Sequence, residues 1–73
     1  MEQMKEILCP MPGKIIEITV QLGSQVVNDT QVMIHEAMKM ENSIVAGCEG
    51  TVREILVGQG DVVETDQVLI TLD

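Results

Sequence analysis

The feature that most constrains this 73-residue chain is that it repeats itself. Gly13, Ile15, Glu17, Ile18, Val20 and Gly23 recur as Gly50, Val52, Glu54, Ile55, Val57 and Gly60, each 37 residues further on. Gln31-Val32-Met33-Ile34 recurs as Gln67-Val68-Leu69-Ile70 at an offset of 36, so the first copy holds one extra residue between Gly23 and Gln31. Two copies of so short a unit cannot stack into a solenoid, which needs at least about three. They can form one sandwich with approximate two-fold symmetry, each half covering the other's apolar face.

The residue types decide what the repeated unit is made of. There is no Phe, Tyr or Trp, so a core must come from ten Val, eight Ile, five Leu and six Met. Branching at Cβ favours pleated backbone over helix. The apolar runs are short and end at turn formers: Ile15 to Leu22 stops at Gly23-Ser24, and Val52 to Val57 stops at Gly58-Gln59-Gly60. Val32 to Ile34 and Val68 to Leu72 follow the turn-prone Asn28-Asp29-Thr30 and Thr65-Asp66. No stretch carries a long apolar stripe of helical period. The expectation is all-β. The apolar positions 15, 18 and 20, echoed at 52, 55 and 57, are spaced three and then two. A bulge between Ile15 and Ile18 reconciles this with a pleated strand. The competing register alternates strictly through Ile16, Ile18, Val20 and Leu22.

Charge and composition exclude several functions. Twelve acidic residues against four Lys and Arg leave a formal charge of −8, which repels phosphate backbones and anionic membranes. Without aromatics, base stacking is closed as well, so no nucleic-acid partner is expected. No apolar run approaches the ~18 residues of a membrane span, and no direct membrane insertion is expected. The segment Met1 to Glu6 lacks the basic-then-apolar pattern of a secretory signal. Two cysteines are too few for a disulfide scaffold, so Cys9 and Cys48 read as reduced thiols of a cytoplasmic protein. Both lie in the loops that precede the two copies, and packing thiols are expected there rather than a disulfide. A single histidine, His35, cannot assemble a metal site with others of its kind, so no metal is expected. It reads as a partly exposed strand residue rather than an acid-base group. No nucleophile and base pair of evident geometry is present, and a catalytic residue is not expected.

The repeat also locates the one segment without a counterpart. The second copy runs to Leu72-Asp73, whereas the first passes the corresponding point near His35-Glu36 and continues through Ala37-Met38-Lys39-Met40-Glu41. A new strand follows at roughly Ser43 to Ala46. Antiparallel neighbours are joined by tight turns, so Met38-Lys39 is expected at a hairpin tip, with its lysine held off the body of the domain.

Glu36-Ala37-Met38-Lys39-Met40-Glu41 resembles the attachment motif of biotin carboxyl carrier domains, whose centre is Ala-Met-Lys-Met. Cys9-Pro10-Met11-Pro12-Gly13 resembles the family's leading loop, and Gly50-Thr51-Val52 and Gly60-Asp61 with Gln67 resemble its second-half landmarks. The resemblance runs over residues 8–73, with residues 1–7 expected as a short polar tail. It implies a flattened barrel-sandwich of two antiparallel four-stranded sheets, with biotin joined covalently to the ε-nitrogen of Lys39. It further implies three partners. A biotin protein ligase attaches the cofactor with ATP. A biotin carboxylase loads it from bicarbonate, and a carboxyltransferase or decarboxylase unloads it. Such a carrier performs no reaction of its own.

The residues support these roles on physical grounds. A free lysine amine is almost wholly protonated at neutral pH, so a ligase must enclose it to use it as a nucleophile. An exposed tip permits that. Met38 and Met40 flank it with soft, unbranched apolar surface able to adapt to more than one pocket. Glu36 and Glu41 are either part of a ligase recognition surface or ordinary polar strand ends. Lys5 and Lys14 lie away from the tip. Some positions depart from the family pattern. Gly47 replaces a frequent proline, Ser24 stands where Gly-Asp is common, and the loop from Gly23 to Gln31 is too short for the protruding thumb of some acetyl-CoA carboxylase carriers. That shortness tilts the parent toward decarboxylases, transcarboxylases and acyl-CoA or pyruvate carboxylases. Two alternatives share the fold. In a lipoyl carrier the lysine typically lies between Asp and Ala, and an unmodified lipoyl-like adaptor lacks the Met-Lys-Met tip.

Overall fold

The computed structural model describes residues 5–73. The chain forms eight strands: β1 Lys5–Leu8, β2 Gly13–Ile18, β3 Gln25–Val26, β4 Gln31–Ala37, β5 Met40–Val45, β6 Gly50–Ile55, β7 Val62–Val63 and β8 Val68–Leu72. They make two four-stranded antiparallel sheets, ordered β1-β8-β6-β3 and β5-β4-β2-β7. Exchanging β1 with β5, β2 with β6, β3 with β7 and β4 with β8 turns one order into the other. The duplication read from sequence is therefore a duplication of topology.

Hydrogen bonds between the halves repeat in the same way. Ile15 N donates to Asp61 O and Val52 N to Ser24 O, both at 2.8 Å. Gly60 N donates to Ile15 O at 2.7 Å, and Gly23 N to Val52 O at 2.9 Å. Each loop after a long strand is thus stitched to the long strand of the other copy. The core lies between the sheets, with Ile15, Met33, Leu69, Ile70, Leu72, Val32 and Val63 fully buried.

The bulged register prevails. The pairing of β2 with β4 slips between Ile15 and Glu17, and that of β6 with β8 slips between Val52 and Glu54. Ile15 is fully buried, while Leu22, which strict alternation would bury, is 67% exposed.

Two expectations need correction. The polar tail placed over residues 1–7 is interrupted by β1, which begins at Lys5 and pairs with β8 as Lys5 opposite Leu72 and Ile7 opposite Ile70. Ile7 is buried in the core, the twin of Ile44 in β5. The rest of that tail lies outside the described residues. His35, expected to be partly exposed, is 1% exposed, with both ring nitrogens buried and lacking a hydrogen-bond partner. A register slip between Gln31 and Met33 against β5 turns Met33, His35 and Ala37 to the interior. The repeat carried the warning, since the twin of His35 is Thr71, also buried.

Gly13 and Gly50, twins again, mark where backbones approach most closely. A Cβ on Gly13 would collide with the carbonyl oxygen of Glu36 and lie 2.9 Å from His35 Cδ2. One on Gly50 would lie 2.7 Å from Asp73 O and 3.0 Å from Leu72 Cβ. Gly13 thus supports the base of the β4–β5 hairpin, and Gly50 supports the end of β8.

Candidate functional site

Strands β4 and β5 pair from Gln31 opposite Val45 out to Ala37 opposite Met40, leaving Met38-Lys39 as a two-residue loop. Both loop residues adopt left-handed backbone, with φ of 53° at Met38 and 65° at Lys39. Positive φ at both central positions defines a type I′ turn, whose twist matches the twist of the strands it joins. Such turns favour Asn-Gly because side chains with a Cβ are strained there. Neither Met nor Lys relieves that strain. The tight hairpin is legible in the sequence, whereas the left-handed backbone at its tip is a finding of the structure. The signal lay in the loop length itself, since two-residue hairpin loops mostly require this turn.

Ala37 is buried and anchors the hairpin in the core, and Gly13 packs beneath its neighbour Glu36. Beyond that anchor the chain is exposed. Met38 is 88% and Met40 65% exposed, and Lys39 is exposed between them. Among the described residues no carboxylate forms an ion pair with the Lys39 amine, and Arg53 pairs with Asp73 at the other end. Glu36 and Glu41 stand directly opposite each other across β4 and β5, both exposed, and Lys14 of β2 flanks Glu36 on its other side. The structure thus brings Glu36, Ala37, Met38, Lys39 and Met40 together at one tip and leaves Lys5 and Lys14 outside it.

The thiols are free. Cys9 is fully buried and donates to Met11 O at 2.9 Å, and Cys48 is half-buried. An open groove of about 590 Å³, lined by Lys5, Val27, Thr30, Glu49 and Asp73 among others, lies at the end away from the hairpin. Lys5 Nζ donates there to Glu49 O at 2.6 Å. The hairpin, by contrast, presents a primary amine on an exposed two-residue loop. This geometry suits an attachment point and not a pocket, because a group joined to Lys39 would be held by a single bond and would remain free to swing.

The sequence profile of the family described as biotin-requiring enzymes matches residues 5–72. The chain belongs to that family. Similar proteins include the biotin carboxyl carrier protein of Streptococcus mutans, 49% identical over 86% of this chain and 48% of that protein. The human mitochondrial propionyl-CoA carboxylase alpha chain is 38% identical over 88% of this chain and 9% of its own length. Among solved structures, the urea carboxylase of Kluyveromyces lactis superposes with a TM-score of 0.91 at 26% identity, covering 99% of this chain and 6% of that one. The chain therefore spans about half of the first relative and under a tenth of the other two. Its two antiparallel four-stranded sheets are those the sequence reading expects, and the fold is shared with the part of the urea carboxylase that superposes on it.

Proposed function

We propose that the chain is a biotin carboxyl carrier whose attachment point is the ε-nitrogen of Lys39. The observation that carries this is an exposed, unpaired amine at the tip of a tight hairpin, held there by Ala37 and Gly13, in a chain of this family. Biotin, when bound, supplies a ureido nitrogen that accepts and releases a carboxyl group. The chain's residues do the rest. Lys39 gives a flexible stem whose length, together with the valeryl chain, is on the order of 14 Å at ~1.5 Å per bond. The paired strands below fix the point from which it swings. Met38 and Met40 offer apolar contact to whichever partner encloses the tip. The carrier itself is non-catalytic in this reading.

Its partners are a biotin protein ligase, a biotin carboxylase subunit and a carboxyltransferase or decarboxylase subunit. A cytoplasmic location is part of this proposal, and the two free thiols support it by fitting a reducing compartment. The test is an intact mass after coexpression with a biotin ligase in the presence of biotin. One added biotin is expected, with none on Lys39→Arg. Addition of one lipoate instead would favour the lipoyl carrier, and labelling of Lys39→Arg would refute the site.

A further inference from the structure

We infer that Met38 and Met40 form an oxidation-sensitive collar that disconnects the carrier from its carboxylase when converted to sulfoxides. The inference rests on Lys39 being the attachment point and adds a modification site beside it. Its basis is the contrast among the methionines of the described residues. Met38 is 88% and Met40 65% exposed, Met11 is 39% exposed, and Met33 is fully buried. The first two are the residues on either side of Lys39, and the left-handed turn projects Met38 away from the sheet with no packing to shelter its sulfur. Thioether reactivity follows access to the sulfur lone pair.

The chemistry is a two-electron oxidation by a peroxide. A sulfur lone pair attacks the terminal peroxide oxygen, the O–O bond breaks, an S–O bond forms, and water leaves after proton transfer. Sulfur is oxidised and peroxide oxygen reduced. Reversal uses a dithiol reductant through a methionine sulfoxide reductase, giving thioether, disulfide and water. The product is polar where the thioether was soft and apolar. An apolar partner pocket that encloses the tip then receives an oxygen for which it holds no donor, and contact is lost. The Lys39 amine itself is chemically untouched, so delivery is read on chain that the ligase has labelled to completion.

Biotin carries its own thioether, so the test oxidises the chain before attachment. The apo chain is treated with hydrogen peroxide, freed of it, mapped by peptide mass, labelled by ligase, and then offered to biotin carboxylase with ATP and bicarbonate. Met38 and Met40 are expected to gain oxygen first and Met33 last. Carrier-dependent ATP hydrolysis should fall about tenfold in kcat/KM, as expected for burying an unpartnered polar group. Treatment with reductase before labelling should restore it. In a Met38→Leu, Met40→Leu double variant, each rate is compared with that variant's own untreated value, and peroxide should cause no further fall. The inference is overturned if Met33 oxidises as fast as Met38, if fully oxidised chain turns over normally, or if the Leu variant falls equally. A failure of the Lys39 assignment is seen separately, as biotin mapped to another residue in the untreated chain.

Discussion

The backbone at the hairpin tip makes a prediction that runs against the usual effect of glycine. Lys39 has φ of 65° and is exposed, with no hydrogen bond or ion pair from its amine among the described residues. Removing its side chain therefore forfeits no packing. A left-handed L-residue is strained by about 1–2 kcal/mol, and glycine is not. Against this relief, glycine adds unfolded-state entropy of about 0.4–1 kcal/mol. Taken mid-range, the net gain for Lys39→Gly is about 0.8 kcal/mol. For a domain of this size, about 1 kcal/mol moves Tm by roughly 4–8 °C, so Tm should rise by a few degrees. Lys39→Ala is the control: it removes the same charge and stem but keeps a Cβ, and should leave Tm near that of the parent chain. The assay is reversible thermal or urea unfolding of all three proteins at one pH and salt concentration. Equal stability of the Gly and Ala variants, or a less stable Gly variant, would refute the claim that the turn is strained. If the gain is found, a lysine at this position disfavours folding, and its presence there needs another reason.

Three further predictions concern the support of the hairpin. His35→Leu removes two buried nitrogens without partners and should stabilise by about 1–2 kcal/mol, read as a higher urea midpoint at unchanged m-value. Gly13→Ala and Gly50→Ala should each destabilise by about 1–3 kcal/mol, because the added methyl meets backbone. Only Gly13→Ala should also slow biotin labelling under conditions where both variants are folded, since only it displaces the hairpin. Glu41→Gln relieves a like-charge pair across from Glu36 and should stabilise by about 0.2–1 kcal/mol at low salt, with the gain shrinking as salt is added.

What could be read before the structure was what periodicity and repetition encode. The spacing at 15, 18 and 20 and again at 52, 55 and 57 contained both bulges, because an extra residue in a pleated strand leaves a fixed mark on which positions are apolar. The unmatched stretch between the copies located the hairpin, and the Met-Lys-Met tip singled out one lysine of three. Burial of His35 was hidden because polarity is a poor guide where register decides orientation. A slip of one residue in β4 reverses which side chains face inward, and that slip depends on the pairing with β5. Strand β1 was hidden for a related reason. Lys5-Glu6-Ile7-Leu8 looks polar and short alone, and becomes a strand only against the edge of β8.

The sequence by itself determined an all-β, two-fold duplicated domain with a lysine at a tight bend, since residue type and spacing are local properties. The tertiary structure alone decided the rest: that the loops of each copy bond to the long strand of the other, that an imidazole is sealed inside, and that the tip carries left-handed backbone. Those features arise from contacts between residues distant along the chain, whose geometry exists only once both halves have closed on each other.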